Sequence, residues 1–137
     1  MDLTLTDALV QLSFAVQAIL GDVADEAGVP VAQVRLLGIL RDREPGTIEL
    51  ARVLGLDKSS VTGLLDRATA RGLVERQRDE ADGRAIRVRL TPEGRRLVRK
   101  YAGRVERRIA ALAEPLSDRE REHLAALASR LVATASG

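Results

Sequence analysis

Residues 47–91 read TIELARVLGLDKSSVTGLLDRATARGLVERQRDEADGRAIRVRLT, and this stretch decides the fold. Its first half holds two helical patterns separated by a glycine. Ile48, Leu50, Ala51, Val53 and Leu54 give a short apolar helix. Gly55 stands where a helix leaving through the left-handed region favours glycine. Leu56 is expected to pack back onto the first helix. Asp57 is placed to cap a second helix by accepting from the backbone N–H of Ser59 or Ser60. Val61, Leu64, Leu65 and Ala68 then recur at helical spacing and form one buried stripe. A helical hairpin of an ordinary bundle shares this pattern.

The exposed face of the second helix separates the two. Lys58, Ser59, Ser60, Thr62, Gly63, Asp66 and Arg67 lie off the Val61 stripe. Short hydroxyl side chains let a helix sit deep in a groove, where they reach phosphates and base edges. A bundle helix would carry Glu/Lys pairs there, and any single serine could be a cap. Three hydroxyls within four residues, beside Lys58, favour a recognition surface.

The second half reads as a β-hairpin. Leu73 to Arg78 and Ala85 to Leu90 alternate apolar and polar residues, the period of half-buried strands. The pattern predicts Ile86, Val88 and Leu90 facing in, with Arg87 and Arg89 facing out. The turn signal is Asp82-Gly83. Arg76, Arg78, Arg84, Arg87 and Arg89 crowd this one element. An arginine at the hairpin tip, here Arg84, can enter a narrow minor groove, where the potential is most negative. Asp82 can shape the loop by pairing with Arg84. A solvated hairpin with charged edges is the plainer alternative.

The run VTGLLDRATARGLVERQRDEADGRAIRVRLTPEG closely resembles the winged helix–turn–helix of MarR-type bacterial transcriptional regulators. The resemblance rests on Ser60-Val61-Thr62 through Leu65-Asp66-Arg67, the exit Gly72-Leu73-Val74-Glu75-Arg76, the wing tip Asp82-x-Arg84, and Leu90-Thr91-Pro92-Glu93-Gly94. Helical arms before and after match too, so it covers essentially the whole chain. It implies an obligate dimer, binding to palindromic operators, and release by a small anionic or phenolic effector. Gly83 departs from the pattern, since many members carry a second arginine there. An aromatic effector would have only Phe14 and Tyr101 to stack on.

Composition bounds the rest. At 137 residues the chain is one domain. No apolar run approaches the roughly 20 residues that span a bilayer, and the N-terminus lacks the shape of a secretory signal. A cytoplasmic protein is the expectation. There are no cysteines and one histidine, His123, so neither a thiol site nor a histidine-based metal site can be built. No cofactor is expected. The net charge of +2 conceals an asymmetry. Residues 1–57 hold 4 basic and 9 acidic side chains, residues 58–100 hold 12 and 6, and residues 101–137 hold 6 and 5. The positive charge falls on the second helix, the hairpin and the following turn, the footprint of a DNA-binding face.

The flanks read as helices. Leu5, Leu9, Leu12, Val16, Ile19, Leu20 and Val23 make a stripe over 3–27, stopped by Gly28 and Pro30. A second helix runs from about Val31 to Arg41. Thr91 caps a long helix with Pro92 in its first turn, striped by Leu97, Val98, Tyr101, Val105, Ile109 and Leu112. Ser117 to Glu120 form a capping box for a last helix. The expected architecture is mainly α with a small β-hairpin. It places a winged helix–turn–helix over 31–91 between dimerisation arms at 1–28 and 92–135.

The functional expectation is a sequence-specific transcriptional regulator, read as a repressor. It binds double-stranded DNA as a homodimer, responds to a small-molecule effector and has no membrane partner. Its DNA-binding residues are Lys58, Ser59, Ser60, Thr62, Gly63, Arg67, Arg76, Arg84 and Arg87, with Asp82 shaping the wing. An enzyme is not expected. No Ser-His-Asp set, phosphate-cradling glycine loop or metal-ligand cluster is present in the sequence. A constitutive DNA binder needs no cavity near Phe14 and the arms. A winged-helix interaction module would use its hairpin arginines on a protein partner instead.

Overall fold

Thr4 opens the first helix by accepting, through Oγ1, from the Asp7 N–H at 3.2 Å. The computed structural model describes residues 2–81, 83 and 85–135. Helix α1 spans Leu5–Ala27 and ends at Gly28, whose φ is 71°. Helix α2 follows at Val31–Leu40 and α3 at Thr47–Leu54. Gly55, at φ 66°, turns the chain, and its N–H meets the Ala51 and Arg52 carbonyls. Asp57 then caps α4, Lys58–Ala70. Strands β1 (Val74–Arg78) and β2 (Ile86–Leu90) form the hairpin. Helices α5 (Pro92–Leu112) and α6 (Asp118–Ala135) complete the chain. The mainly α fold with one hairpin is as the sequence implies, and its element ends lie within a residue or two of those expected.

The core gathers the predicted α4 stripe with apolar residues of α2 and α3 under the hairpin; of the apolar set expected of α3 only Leu50 is buried, while Ile48 and Val53 are exposed. Val34, Leu36, Leu37, Leu50, Val61, Leu65, Val74 and Val88 are fully buried together. Each large apolar side chain withdrawn from water contributes about 1.5–3 kcal/mol. These residues hold the helix–turn–helix and the hairpin as one body. Leu56 departs from expectation. Its N–H bonds to the Ala51 carbonyl at 3.0 Å, but its side chain is exposed. The backbone makes the turn, and the side chain is left pointing away.

The hairpin is antiparallel, with Val74 opposite Leu90 and Arg78 opposite Ile86. Its base is clamped to the α2–α3 loop. The Val88 N–H donates to the Pro45 carbonyl at 2.9 Å, and Gly46 bridges Arg87. Val88 and Leu90 face in as predicted, but Ile86 is 45% exposed. The strand outruns the domain at that point, so the alternation loses the core it would face.

Hairpin and arm meet at Thr91. Its hydroxyl donates to the Gly72 carbonyl at 2.6 Å and accepts from the Gly94 N–H at 3.0 Å. Its own N–H reaches the Leu73 carbonyl at 3.1 Å. Gly94 has no room for a side chain, because a Cβ there would lie 2.1 Å from the Leu73 carbonyl oxygen.

The arms are partnered along only part of their length. The C-terminal half of α1 packs through Ile19, Val23 and Ala24. Arg104 and Arg108 of α5 pair with Glu26 and Asp22 of α1 at 3.0 and 2.8 Å. Leu5, Leu9, Leu12 and Phe14 on the N-terminal half of α1 are exposed, and α6 has no buried residue. By length and composition α1 is apolar enough to cross a membrane, contrary to the sequence reading. Its charges stand only at its ends, Asp7 in the first turn and Asp22, Asp25 and Glu26 in the last turns, where Asp22 and Glu26 tie it to α5.

Candidate nucleic-acid interface

The N-terminal face of α4 is built on Asp57. Its Oδ1 accepts from the Ser60 N–H at 2.7 Å and from the Ser59 hydroxyl at 2.8 Å. The Ser60 backbone bond, followed by the two serine hydroxyls, holds this carboxyl below the usual carboxylate range. Lys58, Ser59, Ser60 and Thr62 are exposed together on the first turn and a half of α4. Arg67 is exposed one turn on, and its guanidinium lies over Gly63, 3.2 Å from where a Cβ would stand. The Thr62 hydroxyl donates to the Lys58 carbonyl at 2.9 Å. Ser59 and Thr62 thus spend their donors inside the protein and keep oxygen lone pairs for an amino group on a base edge.

The wing arginines stand differently. Arg76 bonds to Asp66 of α4 at 2.7 Å, which ties the hairpin to the helix. Arg87 bonds to Asp79 at 2.6 Å and to the Glu44 carbonyl at 3.0 Å. Arg89 pairs across the strands with Glu75 at 2.6 Å. The part-exposed Arg76–Asp66 and Arg89–Glu75 pairs contribute about 0–1 kcal/mol each, so a DNA phosphate could displace those carboxylates. Arg84 and Asp82 lie outside the described residues.

Asp79 is a residue that the sequence reading did not single out. Its Oδ1 accepts from the Ala81 N–H at 2.9 Å, its Oδ2 takes Arg87, and its N–H closes on the Ala85 carbonyl at 2.9 Å. With a side chain 14% exposed, it organises the start of the wing turn. An aspartate bonding two residues ahead is a recognisable turn signal, but its pairing with Arg87 depends on strand register.

An open groove of about 940 Å³ is lined by residues of α1, α2, α3, α5 and α6. Leu20, Val34, Ile39, Val98, Tyr101 and Val105 are among its lining residues, with Ala128 and Val132 of α6 on one side. The Tyr101 hydroxyl donates to the Val34 carbonyl at 3.3 Å. Burial drives this phenol well above its ordinary value, against a weaker opposing pull from Arg41. Phe14 is not among the lining residues and is 65% exposed. Of the two aromatic residues, only Tyr101 borders the groove. No group of three or more His, Cys, Asp or Glu side chains among the described residues is placed to hold a metal.

Residues 27–85 match the MarR family. Over 98 residues the chain is 30% identical to the HTH-type transcriptional repressor YetL of Bacillus subtilis (strain 168), covering 69% of this chain and 59% of that protein. Over 72 residues it is 35% identical to an uncharacterized HTH-type transcriptional regulator, YsmB, of the same organism. That match covers 53% of this chain and 49% of YsmB. The chain therefore spans about half the length of the curated relatives it matches. The crystal structure of NadR in complex with 4-hydroxyphenylacetate superposes with a TM-score of 0.86 at 25% identity. It covers 96% of this chain and 94% of NadR.

Proposed function

We propose that this chain, a MarR-family protein by the match of residues 27–85 and by its winged helix–turn–helix, is a sequence-specific transcriptional regulator that binds palindromic DNA as a homodimer. The observation that carries the proposal is the face of α4. Lys58 and three short hydroxyl side chains stand exposed on one capped helix start, inside a segment with 12 basic and 6 acidic side chains.

The roles divide by reach. Lys58 and the wing arginines neutralise phosphates and fix register, and Arg84 probes the minor groove. Ser59, Ser60, Thr62 and Arg67 face base edges. Gly63 lets the helix approach closely, and the Asp66–Arg76 pair keeps helix and wing at one mutual angle. The exposed apolar residues of α1 and α6 support a dimer formed through the arms. Two reading heads then take half-sites one helical turn, about 10 base pairs, apart. Regulation comes from a small molecule in the groove between arms and head, by analogy with the 4-hydroxyphenylacetate held by NadR. Repression is the expected sign, as the name of YetL has it, and the cytoplasm is the expected compartment.

The test is a titration of purified protein on DNA from upstream of its own coding sequence, at several salt concentrations, beside a scrambled fragment. The expected result is tight, salt-dependent binding to one fragment at two protomers per site. Equal weak binding to both fragments would refute sequence-specific regulation.

A further inference from the structure

Gln33 is the one polar residue buried in the core among the described residues, at 1% exposure. It lies in the first turn of α2, facing the middle of α4. Its Nε2 donates to the Leu64 carbonyl at 3.4 Å, and its Oε1 has no hydrogen-bond partner. An unbranched apolar residue of similar length would fill the same space without an orphaned oxygen. A buried, half-satisfied carboxamide is a poor stabiliser, so its use lies in what it fixes.

We propose that Gln33 is a positioning residue for DNA reading: through the Leu64 carbonyl it sets how α4 sits against α2, and so how the α4 face is presented. Leu64 follows Gly63 directly and lies two residues from Thr62 and three from Arg67, so rotation of α4 at Leu64 displaces the whole reading face. The first turn of α2 is a firm base. The Gln33 and Val34 N–H groups both donate to the Pro30 carbonyl, at 2.9 and 3.3 Å. The same turn meets the arm, because Val34 lines the groove and its carbonyl takes the Tyr101 hydroxyl. Neighbouring residues of one turn thus contact the groove on one side and the recognition helix on the other. Apolar packing alone permits small rotations of α4, whereas a hydrogen bond to one carbonyl selects among them. Buried polar groups are known to trade stability for such specificity in some systems.

This inference rests on the regulator reading, and its test separates the two. Gln33→Met and Gln33→Leu are compared with the wild type by thermal melting, by hydrogen exchange of α4 amides without DNA, and by affinity for the preferred and scrambled fragments at one salt concentration. The expected result is a melting temperature at or above wild type, with exchange across residues 64–68 faster by about threefold or more. Affinity for the preferred fragment should fall about tenfold, the size of one lost specific contact, with scrambled affinity unchanged. Unchanged exchange and unchanged discrimination in both variants would overturn the proposal. So would melting far below wild type in both, since Gln33 would then be holding the fold itself. If the wild type does not discriminate the fragments, the regulator reading fails, and the exchange result still decides the role of Gln33.

Discussion

Alanine at Gly94 should weaken the seam between wing and arm, although alanine is the better helix former. Gly94 lies in the first turn of α5. In an open site, Gly→Ala inside a helix gains about 1 kcal/mol. Here the added Cβ would lie 2.1 Å from the Leu73 carbonyl oxygen, 3.1 Å from its carbon and 3.2 Å from Leu90 Cδ2. The nearest atoms are backbone, so no rotamer change relieves the clash. Overpacking of this kind costs about 1–3 kcal/mol. Moving α5 away would stretch the bond from the Thr91 N–H to Leu73 and that from the Thr91 hydroxyl to Gly72, each worth about 1 kcal/mol. Set against the propensity gain, the net loss is about 2–4 kcal/mol. For a chain of this length that lowers the melting temperature by roughly 7–14 °C. The assay is thermal and urea unfolding followed by far-UV circular dichroism. Gly38→Ala serves as comparator, since its Cβ would meet nothing within 4 Å and should be neutral or stabilising. A Gly94→Ala protein that melts at or above wild type would refute the packing argument.

Three further outcomes are expected. The depressed Asp57 carboxyl contributes stability that is present above the ordinary carboxylate range and is lost as pH falls through its folded value. Asp57→Ala should therefore melt lower at neutral pH and lose less on acidification, and identical acid profiles would contradict this. Tyr101 is the single tyrosine in a chain without tryptophan, so its ionisation can be followed directly by ultraviolet absorbance. Its raised value favours the folded state below the ordinary phenol range, and that contribution fades as pH rises past it. Ionisation of the folded protein at the ordinary value of 10.0 would show that the phenol is not buried. Asp66→Ala removes a negative charge from α4 and frees Arg76. It should tighten binding to scrambled DNA and steepen the salt dependence by about one ion, and weaker non-specific binding would count against that placement of Arg76.

What was legible in the sequence is what depends on near neighbours along the chain. The Gly55 turn, the Asp57 cap and the α4 stripe follow from spacings of three and four residues. The Ser117 capping box also forms, with Ser117 and Glu120 each receiving the other's backbone N–H at 3.2 and 2.9 Å. Contacts set by tertiary placement were not legible. Alternation put Ile86 inside, but only register against the α2–α3 loop shows that the core stops at Val88. Arg87 read as an outward-facing DNA-binding residue, and the fold also brings it to Asp79 and to the Glu44 carbonyl. Gln33 carries no signal of its own in the sequence, and its burial depends on α4 packing against it. The groove is assembled from five helices and a loop, so no single window of sequence contains it.

The central claim is that the exposed start of α4 reads the DNA while Lys58 holds the backbone. The most direct measurement is the affinity of a Ser60→Ala/Thr62→Ala variant for the preferred and scrambled fragments across a salt series, with Lys58→Ala beside it. The account predicts that the double variant loses discrimination with an unchanged salt slope. Lys58→Ala should weaken binding to both fragments and lower the slope by about one ion. Full discrimination retained by the double variant would contradict it.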